Sequence, residues 1–370
     1  MAEALKAMYN REFLQGFGEK VRSVYPAFDI QGFITHIMDH SWEEMALKAR
    51  TRRITEALGH GLPDTYDDAI RILFQIDEEC VGFPYLFFPD FVEVFGRAPE
   101  DWELSMQALE RFTQRSSAEF AVRVFIIQDP GRMMKQMLDW SGHPSEHVRR
   151  LASEGARPRL PWGQALTMFK KDPSPVLEVL EELKEDPSLY VRKSVANNMN
   201  DIAKDHPEII IRLAKRWMGS SPHTNWIVRH GCRSLIRQAN PEILELFGYA
   251  QADEGVSLAE ESALSVEPVA TTIGGSSELS YTIAAREGEP IRLRIEYGVY
   301  YVKANGQTSR KLFLLSDKTV PGGSKLSGTR KISWADLTTR KHYPGEHRIV
   351  LLLNGQEIAE TKLMLHAAPQ

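Results

Sequence analysis

Cysteine is nearly absent from this sequence of 370 residues, and no long apolar run interrupts its polar character. The two cysteines, Cys80 and Cys232, stand far apart and outside any C-x-x-C pair, so neither a disulfide framework nor a cysteine zinc site is indicated. The most apolar stretch, 81–95, contains two prolines and an aspartate, and the first residues lack the apolar core of a secretory signal. We therefore expect a cytoplasmic protein that is neither exported nor membrane-spanning.

An excess of positive charge is also absent, because 45 Lys and Arg stand against 50 Asp and Glu and the formal net charge is -5. This argues weakly against a nucleic-acid partner, since proteins that bind phosphate usually carry an excess of basic residues. The charge is unevenly distributed: from Glu267 onward 14 Lys and Arg stand against 10 Asp and Glu, which gives +4 and leaves -9 for the preceding residues. A body that bound DNA would have to segregate its arginines onto one face, whereas the tail is basic throughout.

Residues 40–250 have apolar side chains three and four positions apart, which predicts a helical region. Three segments in it resemble one another, each with a turn, a helix start and a Val-Arg pair. The pairs are Val148-Arg149, Val191-Arg192 and Val228-Arg229, with a weaker copy at Val122-Arg123. The spacings of 43 and 37 residues are close to the ~40 to 47 of HEAT-type repeats. Such repeats must stack to bury their apolar faces, so we predict a helical-repeat solenoid.

Beyond a connector predicted at 250–267, the apolar period changes to two. Segments starting at Ile291, Lys311, His347 and Ile358 alternate as antiparallel strands do, and the last two are separated by an Asn-Gly turn. We predict an all-β, immunoglobulin-like sandwich without the usual cysteine pair. The expected domains are 1–255 and 256–370. The basic residues of the tail fall between the strand-like segments and are expected on loops: Lys318, Lys325, Arg330, Lys331, Arg340 and Lys341.

Three acidic residues in the helical part have both an ordinary and a catalytic interpretation. Glu119 lies three residues after Ser116, as in a capping box. Glu154 lies in a repeat helix, where a lone glutamate is usually a solvated surface residue. Asp201 lies in the next repeat helix, three residues before Lys204, with which it could form a salt bridge.

The segment Arg157-Pro-Arg159-Leu-Pro-Trp162 holds two prolines in four residues and therefore predicts a rigid loop. Its tryptophan could anchor the core, with surface arginines beside it, or the loop could bind a ligand. Metal binding is a weaker possibility: His36 and His40 have the spacing of a zinc helix but lack the glutamate of that motif. The glycine-rich segment 321–328 follows no βα unit and is interpreted as a hairpin loop.

These segments together resemble the AlkC branch of the DNA alkylation repair family of HEAT-like glycosylases. The resemblance rests on SAEFAVR at 117–123, LASEGARPRLPW at 151–162 and SVANNMNDIAKDHP at 194–207, and it covers about residues 40–250. An immunoglobulin-like tail is similar to that of one AlkC subgroup. The resemblance implies that Glu119, Glu154, Asp201 and Trp162 form the active site, without any cofactor or metal.

The activity implied by the resemblance is excision of cationic bases such as 3-methyladenine and 3-methylcytosine from duplex DNA, with little or no base flipping. The enzyme would be a monofunctional glycosylase, because the motifs place no lysine to form a Schiff base with the sugar. We expect a monomer that binds alkylated double-stranded DNA. The expected DNA-binding residues are Arg150, Arg157, Arg159, Lys193, His230, Arg233 and Lys325.

The alternative is a HEAT scaffold without enzymatic activity that binds DNA or a protein partner, since repeat solenoids are more often binding surfaces than catalysts. The carboxylates discriminate between the two. A phosphate-binding surface should avoid Glu154 and Asp201 beside its arginines, whereas an enzyme that stabilises a cation requires them.

Overall fold

Helices precede strands along this chain, in the order that the sequence predicts. The computed structural model describes residues 5–250, 257–337 and 340–368, and sixteen α-helices occur in the first of these ranges. They are α1 Arg11–Val24, α2 Ile30–Ile37, α3 Leu47–Gly61, α4 Tyr66–Ile76, α5 Phe87–Phe95, α6 Trp102–Thr113, α7 Val122–Gln128, α8 Pro130–Ser141, α9 Glu146–Gly155, α10 Thr167–Lys171, α11 Ser174–Glu182, α12 Leu189–Ile202, α13 Pro207–Trp217, α14 Pro222–Gly231, α15 Arg233–Arg237 and α16 Pro241–Leu246.

Polar side chains fix the starts of several helices. Asn10, Thr65 and Asp129 accept hydrogen bonds from backbone N–H groups in the first turns of α1, α4 and α8, which would otherwise lack partners. α8 and α16 also begin with proline, whose missing N–H is not needed at that position. Local sequence therefore determines where these helices begin.

Three of the Val-Arg pairs share the burial of their valine, and two of them share the contacts of their arginine. Val148, Val191 and Val228 are completely buried in α9, α12 and α14, and these helices pack in that order, α9 on α12 and α12 on α14. Arg149 and Arg192 each donate from Nη1 to the carbonyls of two residues in the turn before their helix, at 2.7 to 2.9 Å. The arginines thus join α9 and α12 to the turns that introduce them, and the predicted helical repeat is confirmed.

Eight strands follow in the remaining described ranges. They are β1 Ala259–Glu267, β2 Ala270–Thr272, β3 Ser276–Ala285, β4 Ile291–Val302, β5 Thr308–Val320, β6 Lys325–Ser333, β7 Gly345–Leu353 and β8 Gln356–His366. One sheet has the order β1-β3-β6 and the other the order β2-β8-β7-β4-β5. All neighbours are antiparallel except β2 and β8. The four predicted strand segments correspond to β4, β5, β7 and β8.

The two sheets bury a shared apolar interior. Leu293, Val299 and Leu351 are completely buried, as is Trp334, whose indole N–H donates to the Ser277 hydroxyl at 3.2 Å. The predicted all-β sandwich after a helical domain is therefore confirmed as the fold class.

Two local predictions in the tail were wrong. Residues 259–267 of the predicted connector form β1. Most side chains of β1 are exposed, so the alternation that includes Leu264 and Val266 is too short to predict a strand. Residues 251–256 lie outside the described residues. Lys318 lies in β5, and Lys325, Arg330 and Lys331 lie in β6 rather than on loops. Few side chains of β6 are buried, so its sequence lacks the apolar alternation of a strand.

The chain divides into two compact units, the first up to Ile210 together with Arg216–Gly231, and the second comprising Ile211–Lys215 and the residues from Cys232 onward. The second unit thus includes α15 and α16 as well as the strands. Within it Tyr249 donates to Asp317 at 2.6 Å and Arg292 donates to the Phe247 carbonyl at 2.9 Å. The predicted boundary at residue 255 falls among residues that are not described. Within the described ranges no helix has the length and apolar character needed to cross a membrane.

Candidate active site

A tight turn displays Trp162 in the loop that follows α9. The N–H of Gly163 donates to the carbonyl of Leu160 at 3.1 Å, with Pro161 and Trp162 as the central residues. Trp162 has φ 63°, a conformation that the third position of a type II turn requires and that glycine usually provides. Its side chain is 60% exposed. The tryptophan is therefore a displayed residue and does not anchor the core.

A buried arginine organises the ends of this loop. Arg123, which is 2% exposed, donates from Nε to the Gln164 carbonyl at 2.6 Å and from Nη1 to the carbonyls of Gly155 and Arg157 at 2.8 and 2.9 Å. Burial, with the positive charge of Arg157, lowers the pKa of Arg123 to about 10. The guanidinium thus ties both ends of the loop to α7.

Acidic and basic side chains alternate in a network that contains Glu119, Glu154 and Asp201. Arg150 forms an ion pair with Glu119, donates to the Ser117 hydroxyl at 3.0 Å, and lies 3.6 Å from Glu154. Arg157 then bridges Glu154 and Asp201, at 2.6 and 2.8 Å. The Lys204 ammonium completes the series, 3.0 Å from Asp201. The structure therefore joins all three carboxylates in one network.

The inner part of this network is largely removed from solvent. Glu154, Asp201 and Arg157 are 6%, 2% and 7% exposed. Burial by itself would lower the pKa of Arg157, but the charges of Glu154 and Asp201 and their hydrogen bonds outweigh it and raise that pKa. A buried charge that loses its partner is strongly destabilising, so the bridge holds both carboxylates in fixed positions.

One side of the network, which includes an edge of the largely buried Glu154, lines an open cleft of about 390 Å³. Glu119, Glu154 and Arg150 line it, and Trp162 and Tyr190 contribute aromatic walls. Asp201 does not line the cleft and reaches Glu154 only through Arg157. The structure thus brings three of the four predicted catalytic residues to one surface and places the fourth within the network that supports them.

The structure tests the ordinary interpretation of each acidic residue. Ser116 and Glu119 do not form a capping box, because α7 begins only at Val122 and the buried Ser116 hydroxyl has no hydrogen-bond partner. Glu154 is buried rather than solvated. Asp201 forms the ordinary bond to Lys204 and also holds Arg157.

The predicted DNA-binding cations differ in their availability. Arg157 is enclosed by two carboxylates, so its contacts assign it a structural task. Arg159 is half-buried and donates to Asp205 at 3.2 Å, whereas Lys193 is exposed on α12. His230 is exposed on α14 and stacks on Trp226. The other two cations belong to the second unit and are Arg233, at the start of α15, and Lys325, at the start of β6.

Sequence reasoning missed several residues that shape the site. The Arg150 guanidinium lies over the Tyr190 ring, 5.1 Å from the ring centroid. The Ser117 hydroxyl donates to the Glu119 carboxylate at 3.0 Å. Arg123 ends the SAEFAVR motif, but only a structure shows that its side chain turns inward to three carbonyls. In the described ranges no three His, Cys, Asp or Glu side chains are placed so that they could hold a metal ion.

Comparison with known proteins identifies the family. The chain is 45% identical over 352 residues to the Bacillus subtilis protein YhaZ, covering 95% of this chain and 96% of the relative. Its structure matches that of Pseudomonas fluorescens alkylpurine DNA glycosylase AlkC, solved with DNA containing an abasic site analog, at a TM-score of 0.92 and 39% identity. That match covers 98% of this chain and 99% of the other. The chain belongs to the AlkC family.

The AlkC assignment includes the tail. A family model described as the C-terminal Ig-like domain of YhaZ matches residues 260–367, which span β1 to β8. The predicted immunoglobulin-like identity of the sandwich is thereby confirmed. The family resemblance read from the sequence of the helical part is likewise confirmed, since the AlkC match extends over nearly all of both chains.

Proposed function

We propose that this protein hydrolyses the N-glycosidic bond of cationic alkylated nucleotides, such as 3-methyladenine and 3-methylcytosine, in duplex DNA. The observation that carries the proposal is the pair Glu119 and Glu154 facing an open cleft beside Trp162, in a chain of the AlkC family. The Pseudomonas relative is an alkylpurine DNA glycosylase, and a shared fold at 39% sequence identity supports the same class of reaction here.

The chemistry requires negative charge beside the sugar. A base that carries a formal positive charge is already a good leaving group, so the enzyme must chiefly stabilise the cationic sugar that develops and position a water. One carboxylate ~4 Å from a developing unit charge contributes about 4 kcal/mol at an effective dielectric of ~20. That corresponds to roughly a thousandfold in rate. Glu119 and Glu154 are the carboxylates that face the cleft.

Arg150 connects this chemistry to DNA binding. Its guanidinium contacts Glu119 and lies 3.6 Å from Glu154, so both carboxylates are partly neutralised. We propose that a DNA phosphate attracts Arg150 away from them. Glu119 would then face the cationic nucleotide without a cationic partner, and Glu154 would keep only its pair with Arg157.

Trp162 and Asp201 have different tasks in this scheme. Trp162 would pack against the sugar or the base, where its ring face attracts a cation, and the open cleft suits recognition with little extrusion of the base. Asp201 acts through Arg157, which fixes the Glu154 carboxylate. We propose DNA contacts from Arg150, Arg159, Lys193 and His230 of the first unit, and from Arg233 and Lys325 of the second, by a monomer in the cytoplasm.

The test is a single-turnover assay on duplexes that carry one 3-methylcytosine or 3-methyladenine. We expect base release without strand cleavage, and no release from an unmodified duplex. Glu154→Gln and Asp201→Asn should each lower the rate on the order of a hundredfold or more. DNA affinity should be equal or higher, because a negative charge near phosphates opposes binding of the ground state.

Several results would contradict the proposal. Binding of damaged duplex without base release would favour the non-enzymatic scaffold. Wild-type rates in both variants would remove the carboxylates from the mechanism. Trapping of a covalent adduct with borohydride would show a bifunctional enzyme, and inhibition by EDTA that zinc reverses would show a metal requirement.

A further inference from the structure

The exposed tip of the Trp162 turn is held from outside its own loop. Arg123 fixes the ends of the loop, through the carbonyls of residues 155, 157 and 164. At the tip, the Lys48 ammonium on α3 donates to the Trp162 carbonyl at 3.0 Å, across 114 positions of the chain. A residue with positive φ and a large side chain persists only where its surroundings hold it, and Lys48 supplies such a contact.

Lys48 also touches the segment that carries Glu119. Its Nζ lies 4.7 Å from the centroid of the Phe120 ring, the residue directly after Glu119. Phe120 and Trp162 line the cleft together with Glu119, and both also line an adjoining cavity of about 260 Å³ into which Lys48 projects. One ammonium therefore joins the tip of the tryptophan loop to the segment that bears a candidate catalytic carboxylate.

We propose that Lys48 is a positioning residue, which sets the orientation of the Trp162 indole over the cleft by holding the Trp162 carbonyl and the Phe120 ring. The inference rests on the proposed function only for its kinetic readout. A lysine beside a DNA-binding surface is ordinarily assigned to a phosphate, but the directed hydrogen bond and the ring contact give this ammonium protein partners. The two roles differ in their dependence on salt.

The experiment compares Lys48→Met, Lys48→Arg, Trp162→Ala and the double variant Lys48→Met with Trp162→Ala, in the full chain. Lys135→Met is the matched control, because Lys135 is an exposed lysine on another helix, α8. A loss of orientation in a positioned group costs on the order of tenfold to a hundredfold in rate, which we expect for Lys48→Met in single turnover with saturating enzyme. Its affinity, salt dependence and melting temperature should equal those of the wild type.

Two comparisons separate positioning from a general effect. Lys48→Arg, which keeps a cationic donor, should recover part of the rate. In the Trp162→Ala background, Lys48→Met should cause no further loss, because the group that it orients is gone. A phosphate contact would instead weaken binding and flatten the salt slope by about 0.9. The inference would be overturned by such weakened binding with a flatter salt slope, or by an equal loss of rate in both backgrounds. Wild-type rates for Lys48→Met or for Trp162→Ala would also overturn it.

A readout without catalysis keeps this inference separate from the proposed function. Protein labelled with 5-fluorotryptophan contains seven indoles, and Trp162→Phe assigns the fluorine resonance of Trp162. Lys48→Met should shift or broaden that line, and Lys135→Met should not. If the wild type releases no base and the line still responds to Lys48, the proposed function fails and the positioning role stands; an unchanged line overturns the positioning role.

Discussion

Glu119 shows how one residue can satisfy a local pattern that the fold does not use. Ser116 and Glu119 have the spacing of a capping box, but the chain between them does not enter a helix before Val122. The Glu119 carboxylate instead pairs with Arg150, which lies 31 positions along the sequence. The consequence is a carboxylate free of any capping task and aimed at a cleft.

The first prediction separates the two interpretations of Glu119. Glu119→Gln should reduce the rate of base release at least tenfold while lowering the melting temperature very little, because no cap worth about 1 kcal/mol is removed. Ser116→Ala is the control and should be neutral or slightly stabilising, since its buried hydroxyl has no partner. Single-turnover rates and melting curves of both variants distinguish the two interpretations of Glu119. Parallel losses of stability in the two variants would restore the capping box.

At the scale of the element, Arg149 of α9 and Arg192 of α12 make equivalent contacts with the turns before their helices. Arg149 links the turn before α9 to Asp186, which lies in the turn before α12, at 2.6 Å. Asp186 is 7% exposed, so it depends on this partner. Its hydrogen bond to Arg149 raises the pKa of the guanidinium.

We predict that Arg149→Met lowers the free energy of unfolding by about 3 kcal/mol, because it leaves a buried carboxylate without its cation. The matched control is Arg71→Met, which removes an exposed helical pair with Asp67 and should cost less than about 1 kcal/mol. Urea unfolding followed by circular dichroism measures both. Equal costs would mean that the repeated arginine stabilises no more than a surface pair does.

The β-sandwich carries its own dependence on pH. His347 is completely buried; its Nδ1 lies 3.1 Å from the Gly345 carbonyl and its Nε2 accepts from the Val302 N–H at 3.4 Å, which suits the neutral ring. Burial lowers the pKa of His347, and burial likewise lowers the pKa of His342. Both rings face the aromatic pair Tyr301 and Trp334.

The sign of the effect follows from those lowered pKa values. Above the ordinary value of 6.5 both the folded and the unfolded chain hold neutral rings, and the stability is complete. As the pH falls below that value the unfolded chain binds protons first, so the melting temperature should fall as the pH decreases from 7 to 5.5. His347→Gln should flatten this dependence, and the exposed His223→Gln should not. A melting temperature of the wild type that is constant across this range would contradict the prediction.

At the scale of the whole molecule, charge is divided between an acidic body and a basic tail. Lys325 and Lys331 lie at exposed positions of β6, an edge strand of the three-stranded sheet. A deletion at the predicted boundary would not test their role, because Phe247 and Tyr249 hold Arg292 and Asp317 within the second unit. Point substitutions leave that unit intact.

We predict that Lys325→Gln with Lys331→Gln weakens binding to duplex DNA and flattens its salt dependence by up to about 1.8, or about 0.9 for each phosphate that the protein no longer neutralises. The single-turnover rate with saturating enzyme should not change. The control is Lys362→Gln, which removes one positive charge from a lysine already paired with Glu346 on the same unit. Affinity measured at several salt concentrations provides the slopes, and a double variant with the wild-type slope would exclude this strand from the interface.

The sequence by itself determined the features that depend on local periodicity. Apolar spacings of three and four predicted the helices, a repeated Val-Arg pair predicted the series α9, α12 and α14, and alternation predicted β4, β5, β7 and β8. β1, β2, β3 and β6 were not predicted, and in β1 and β6 most side chains are exposed, which removes the apolar alternation. β6 also contains Gly328, where a Cβ atom would approach the Tyr281 ring to 2.9 Å, so a close approach between strands determines this residue and not strand propensity.

Only the tertiary structure decided how the candidate site is assembled. The motifs identified Glu119, Glu154 and Asp201, but spacing along the chain contains no information about which of them reach the cleft. The assembly of the site depended on the placement of one buried side chain, because Arg157 turns inward between two helices and joins Glu154 to Asp201. The exposure of Trp162 likewise followed from a turn with positive φ. Local patterns determine elements, whereas long-range charge pairing and burial determine the roles of single residues.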